Sequence, residues 1–466
     1  TEVHIEKRLS NGRGRAFTLS RRNLLKRFGK EKTMKINTLK LINYRCFKDF
    51  ELNLNGGFTL LVGNNGSGKS TVLDGLAVGL ASFFLGMQGA SSGSIHKSDV
   101  RAESYELGSR IERQPQYPSR IVCQGMVNGL PLEWARALNA EEGKITYGEA
   151  NSLTEVSRRM AQLIREGDVS VRLPILSYYG TGRLWAKKRE KRETAQVNLN
   201  SRFSGYTDCL DAMSNEKLLY KWLEQMTYQE LQDQKPIPEL QAVKNAIVAC
   251  FNHSGNSEIA GDAIQCCYNV KTHEIEITYR AADGHVEVHP LREMSDGYRN
   301  MLSMVADIAY RMALLNPQLL DRVTAETEGV VLIDEIDLHL HPAWQRHIVE
   351  TLKSIFPKVQ FIASTHAPSV IASVRQDEVI VLKNYTPLPS YSATYGKDAN
   401  SILQVVMNVP ERQDSVQAEI DAFHRALGDG EIELAKRHLK TFSDILGEDD
   451  PEVVGAETAL ALETME

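Results

Sequence analysis

The stretch that most constrains this chain is FTLLVGNNGSGKS, residues 58–70. An apolar run leads into Gly63-Asn64-Asn65-Gly66-Ser67-Gly68-Lys69-Ser70, and the helical pattern TVLDGLAVGLASFF follows from Thr71. Strand, glycine-rich loop and helix in this order are the setting in which G-x-x-x-x-G-K-S wraps phosphates. The glycines let backbone N–H groups of the loop converge at the positive end of the helix that Lys69, Ser70 and Thr71 open. Lys69 is expected to reach the β- and γ-phosphates, and Ser70 to hold Mg²⁺. The expected ligand is therefore ATP with Mg²⁺.

A phosphate loop needs carboxylates nearby, because Mg²⁺ keeps most of its waters. Val330–Glu335, VVLIDE, supplies them: four apolar residues form a buried strand that ends in Asp334 and Glu335. Asp334 is expected at the Mg²⁺ shell, and Glu335 is expected to polarise the attacking water. The next buried strand, VQFIAST, ends in Ser364-Thr365-His366, and His366 is expected to bond the γ-phosphate and the attacking water. Between these motifs Met294-Ser295-Asp296-Gly297-Tyr298-Arg299 opens a long helix, where Ser295 also reads as a plain N-cap.

The rest of the chain reads as an α/β fold. Met34–Leu54 alternates apolar and polar residues and predicts two half-buried strands. Residues 87–108 are Gly/Ser-rich and read as loop, and SRIVCQGMVNGLPLEWARAL predicts a hairpin turning at Asn128-Gly129. Glu155–Glu166 is helical in pattern, and Leu173–Gly180 reads as a buried strand. Residues 215–251 read as helices broken at Pro236 and Pro238, suited to a local helical pair or a docking surface. Buried strands alternating with helices argue for a sheet with several parallel strands. The expected units are an N-terminal arm (1–33), an N-terminal lobe with the phosphate loop (34–200) and a helical insertion (201–260). A C-terminal lobe (261–384) and a helical extension (385–466) follow.

Composition excludes other classes. Hydrophobic residues are 42% and charged residues 24%, an ordinary globular balance. The longest apolar run, near Leu76–Met87, is short and carries glycines, which argues against a membrane span. Net charge is −6, but residues 1–33 hold ten Lys/Arg against three Glu, so the remainder sums to −13. The arm reads as a basic extension, or less directly as a nucleic-acid contact. Six cysteines without a C-x-x-C pair fit a reducing, cytoplasmic setting, with Cys266 and Cys267 on opposite faces of a strand. His339 and His341 form an H-x-H pair without an evident third metal ligand.

In their order along the chain, these motifs resemble the ABC-type P-loop ATPases of the SMC and RecF group. The resemblance implies that Ser295 and Gly297 of one subunit contact ATP held by the other, with Asp296 departing from the usual small residue. Asn43-Tyr44-Arg45-Cys46-Phe47 resembles the N-F-R-x-F segment of that group, which would bring Arg45 near the phosphates. YYGTGRLW, SDGYRNMLSMVADIA, LIDEIDLHLHPAWQ and YGKDANSILQVVMNVPER look narrower still. They resemble the ATPase subunits of bacterial anti-phage systems of the Septu (PtuA) type.

That resemblance implies a homodimer closed around ATP and assembled into a larger oligomer such as a hexamer. It also implies a separate HNH nuclease of the PtuB type, with DNA contacted through the complex and no membrane. Asp449-Asp450-Pro451-Glu452 is the best acidic cluster near the end, but Asp450 before Pro451 reads as a helix cap. The basic run Arg183, Lys187, Lys188, Arg189, Lys191 and Arg192 reads as a solvated loop or a phosphate-backbone contact. Two other readings stay open: a nucleotide-sensing scaffold with negligible turnover, and a RecF-like repair ATPase that binds DNA directly.

Overall fold

The computed structural model describes residues 34–464 apart from 88–92, 144–145, 147, 184–200, 212–215, 254–262, 282–283, 390–391 and 408–411. The N-terminal arm and the basic run at 187–192 lie outside the described residues.

A six-stranded sheet positions the phosphate loop. In spatial order it runs β15 (Thr386–Pro389), β14 (Val379–Lys383), β3 (Phe58–Val62), β13 (Val359–Thr365), β12 (Gly329–Ile333) and β8 (Ile175–Tyr179). The five strands from β14 to β8 are parallel, and β15 returns antiparallel. Every residue of β3, β8, β12 and β13 is buried, which explains why their sequences are mostly apolar and do not alternate.

A second, antiparallel sheet has the order β2 (Phe47–Asn53), β1 (Met34–Tyr44), β6 (Ser119–Val127) and β7 (Leu130–Leu138). Its β6–β7 turn is Asn128-Gly129, both at positive φ as a tight primed turn requires. Gln360, wholly buried on β13, joins the two sheets. At a register shift in β1 it accepts from Ile36 N at 2.8 Å and donates to Ile36 O at 2.7 Å. Helix α1 (Lys69–Leu80) packs between the sheets, touching β12 and β13 on one side and β6 and β7 on the other. Residues 69–86 are long and apolar enough to cross a membrane, but 67% of that window is buried inside the protein. This is the helix the phosphate loop opens.

One segment differs from the sequence reading. Residues 102–115 contain an exposed hairpin, β4 (Ala102–Leu107) with β5 (Arg110–Pro115), where loop was expected up to 108. Both faces are largely solvated, so no apolar alternation marks it. Helices α3 (Glu216–Asp233) and α4 (Pro238–Asn252), which follow α2 (Asn151–Arg165), do not stand apart. Leu219, Trp222, Leu240, Val243 and Ile247 join the main core, and α4 packs along α5 (Asp296–Leu315). A three-stranded sheet of β9 (Ala263–Asn269), β10 (Glu274–Arg280) and β11 (Val286–Pro290) lies ahead of α5, with Cys266 buried and Cys267 partly exposed.

Beyond β15, α6 (Ala399–Val405) packs onto the main core through Ile402. Helices α7 (Asp414–Gly428), α8 (Ile432–Leu446) and α9 (Pro451–Glu463) then form a separate small core around Phe423, Phe442 and Val453. Asp450 caps α9 by accepting Glu452 N–H at 2.9 Å, as the Asp-Pro step predicts, and it also pairs with Arg412. The whole is an α/β fold with a helical C-terminal region.

Candidate functional site

Because β3, β13 and β12 run parallel, their C-terminal ends lie along one edge of the sheet, where open α/β sheets place ligands. β13 separates β3 from β12. The phosphate loop and the two acids therefore stand two strands apart, with Ser364-Thr365-His366 between them.

The loop has little spare volume. A Cβ on Gly63 would lie 2.5 Å from Leu382 O, and one on Gly68, at φ 100°, would lie 2.5 Å from the Phe47 ring. Gly66 has φ 79° and faces open space, so its constraint is conformational. Asn64, Asn65 and Ser70 are exposed, and Thr71 is partly so. Lys69 folds back over the loop and donates to Gly63 O at 2.7 Å and Asn64 O at 3.2 Å. Burial lowers its pKa, and Asp334, Glu335 and Asp337 pull it back up. Its charge is thus within electrostatic reach of all three acids. Ser67 Oγ is buried without a hydrogen-bond partner among the described residues. A buried hydroxyl without a partner, beside a lysine held only by loop carbonyls, fits a cradle that an anion completes.

At the end of β12 the chain turns sharply, and Glu335 sits at φ 49°. A non-glycine residue there is strained by about 1–3 kcal/mol, and surrounding bonds hold it. Asp334 N donates to Tyr179 O at 2.8 Å, Glu335 N to Ser364 Oγ at 2.8 Å, and Ile336 N to Ser364 O at 2.9 Å. Ser364 Oγ in turn donates its O–H to Asp334 Oδ1 at 2.5 Å, and Thr365 Oγ1 donates to Asp337 Oδ1 at 2.6 Å. The acids are held by the hydroxyls of the neighbouring strand. His366 follows directly, half-buried. Burial first, and Lys69 second, hold its pKa below the ordinary 6.5, against the pull of Asp337, Glu335 and Asp334. The imidazole is neutral at pH 7 and can accept or donate.

Arg45 and the segment around it lie against the loop and α1. Arg45 donates from Nε to Asp99 Oδ1 at 2.9 Å and pairs with Asp74 of α1, to which Tyr178 also donates at 2.9 Å. Its guanidinium is engaged by two carboxylates, 29 and 54 residues away along the chain, that no local pattern pairs with it. Ser295 precedes α5, but its side chain makes no cap bond. The plain N-cap reading therefore lacks its hydrogen bond. Gly297 packs so closely that a Cβ would lie 2.4 Å from His339 O, and Asn300 Nδ2 donates to Leu338 O at 3.2 Å. The start of α5 is thereby tied to the loop that follows the acids. His341 Nδ1 accepts Ala343 N–H at 3.3 Å, capping the short turn Pro342–Gln345.

A family model described as an AAA domain matches residues 38–252, and a second, an AAA ATPase domain, matches residues 183–371. Between them they contain the phosphate loop, both acids and His366. The chain resembles the SMC/RecF-like ATPases. It is 24% identical to a retron Ec83 probable ATPase of Escherichia coli over 435 residues, 81% of this chain and 77% of that one. It is 45% identical to the Septu protein PtuA of Bacillus mycoides over 92 residues, 20% of this chain and 12% of that one. An SMC head bound to the C-terminal winged-helix domain of ScpA aligns over 76% of this chain and 97% of that chain, at 16% identity and a TM-score of 0.46.

The sequence reading missed the residues that hold the site together. Ser364, Thr365, Asp337, Asp74, Asp99, Tyr178 and Asn300 had no role assigned to them, although Ser364 and Thr365 lead directly into His366. The one visible signal was Asp337, a third acid three residues after Asp334, and its partner Thr365 is 28 residues away.

Proposed function

We propose that this chain binds and hydrolyses ATP as the ATPase subunit of a Septu-like anti-phage complex. The observation that carries the reading is the convergence of Lys69, Asp334, Glu335 and His366 at the ends of three adjacent parallel strands. The loop N–H groups and Lys69 would take the phosphates of ATP. The Ser70 hydroxyl and Asp334 would hold Mg²⁺, which neutralises charge on the phosphoryl oxygens. Glu335, fixed by its N–H bond to Ser364, orients and polarises the attacking water, and neutral His366 donates toward the γ-phosphate. Similarity to a retron ATPase over most of the chain, and to PtuA over a shorter stretch, supports the setting in phage defence.

The same reading makes two chains close around two ATP molecules, with Ser295 and Gly297 reaching the nucleotide of the partner. These dimers assemble further and control a separate HNH nuclease. The helices of the small C-terminal core, which expose Leu434, Ile445, Val454 and Leu462, are the platform for that nuclease. Glu335→Gln tests the chemistry. The amide keeps the shape but cannot act as the carboxylate, so ATP binding should persist while phosphate release falls at least about 100-fold. Turnover equal to that of the unaltered chain would remove Glu335 from its role.

A further inference from the structure

A cavity of about 490 Å³ opens beside the phosphate loop, within the size range of small-molecule sites. Residues 63–67 form one wall. The β14–β15 hairpin and the end of α6 form the other, with Leu388, Val405 and Met407 giving it an apolar floor. The hairpin turns on Asn384 and Tyr385, at φ 49° and 59°. A two-residue turn with both central residues at positive φ is the one that Asn-Gly satisfies without strain. Asn384 conforms. Tyr385 does not, because a bulky side chain in the left-handed region is an outlier. The residue is nevertheless 48% exposed and lines the cavity wall, so it is not retained for packing in the core.

The ring is also placed with respect to the loop. It meets Phe47 edge-on at 6.0 Å, and Phe47 is the side chain that leaves Gly68 no room for a Cβ. The buried Ser67 hydroxyl without a partner among the described residues lies on the facing wall of the same cavity.

We infer that this cavity is the nucleobase subsite. Tyr385 offers its ring face to the planar heteroaromatic base of the nucleotide whose phosphates the loop takes. A strained, exposed aromatic ring beside a phosphate cradle suits a ligand that carries a flat ring and phosphates together. Stacking depends on the π-face that every base has, so the subsite adds affinity without strict choice of base. The inference rests on the ATP-binding reading proposed above.

The test compares Tyr385→Gly and Tyr385→Phe with the unaltered chain, titrated with ATP and with inorganic tripolyphosphate. Glycine relieves the turn, so the thermal midpoint of Tyr385→Gly should rise. Its ATP affinity should fall roughly 5- to 150-fold, the range for loss of one stacked base, while tripolyphosphate binds as before. Tyr385→Phe should keep ATP affinity. Unchanged ATP affinity in Tyr385→Gly, with Lys69→Ala still abolishing binding, would overturn the base subsite alone. ATP and tripolyphosphate weakened together would place the lesion in the loop and also overturn it. Failure of the unaltered chain to bind ATP would overturn the reading beneath it and the subsite with it.

Discussion

Ser364 donates its hydroxyl proton to Asp334 Oδ1 across 2.5 Å. The same oxygen accepts the Glu335 backbone N–H, so one side chain on β13 fixes the two acids at the end of β12. Ser364→Ala removes both bonds and keeps both carboxylates in the chain. Loss of such outer-shell support typically lowers metal affinity or activity about 10- to 100-fold. Phosphate release should fall by that factor and the Mg²⁺ requirement should rise, while ATP binding without Mg²⁺ stays unchanged. Turnover and Mg²⁺ dependence identical to those of the unaltered chain would show that Ser364 does not position the acids.

His366 reports on Lys69. Burial is the first cause of its lowered pKa and the Lys69 charge the second. In the nucleotide-free chain its imidazole should titrate below 6.5 by NMR. Lys69→Ala should raise that midpoint, and bound ATP should raise it as well by adding negative charge nearby. The sign for stability follows from linkage: below 6.5 the unfolded chain takes up the proton first. Stability should therefore decline as pH falls from 6.5 toward the lowered native pKa, and His366→Gln should remove that part of the decline. A midpoint that ignores Lys69→Ala would separate the histidine from the loop.

Asp450 has a structural partner on each side, the Glu452 N–H and the Arg412 guanidinium. The Arg412 bond holds its carboxyl below the usual carboxylate range. Its contribution to stability is accordingly present above the unfolded value and lost as pH falls through the lower native one. Asp450→Ala should destabilise the small C-terminal core by about 1 kcal/mol, the usual loss at an N-cap. ATP turnover should be unaffected. DNA cleavage by the isolated chain that vanishes in this variant would instead make the acidic cluster a nuclease site.

The legible parts of this protein are those whose signal is local. The phosphate loop lies within eight residues, the acids end a five-residue apolar strand, and Asp450-Pro451 announces its helix. Each pattern carries its geometry with it. Contacts between distant segments left no such trace: Ser364 meets Asp334 across 30 positions, and Arg45 meets Asp99 across 54. The β4–β5 hairpin escaped because both of its faces are wet, so nothing alternates. Helices α3 and α4 were legible as helices. Their docking onto α5 was not, because an apolar face has the same spacing whether it meets the main core or another protein. Tyr385 escaped because a tyrosine between two strands does not disclose a positive φ.

The last prediction concerns Gly297 and Ser295, whose helix is tied to the loop after the acids through His339 and Leu338. If Lys69 acts on the nucleotide of its own chain and Ser295 on that of the partner, two half-sites make one whole site. A two-fold axis then gives two such composite sites per dimer. Lys69→Ala and Ser295→Arg chains should each be inactive alone. In a mixed dimer, the loop of the first and the signature of the second share one site, which carries both lesions. The other site combines an intact Lys69 with an intact Ser295. Random exchange puts half of the dimers in the mixed state, so about a quarter of the original phosphate release per chain should return on mixing. Exchange of subunits should be verified separately by light scattering on size-tagged chains. Verified exchange with no recovery would count against the shared site, or would show that both sites must be intact for either to turn over. Those outcomes separate on a linked dimer carrying one Lys69→Ala lesion: activity there with no recovery on mixing leaves the trans arrangement without support.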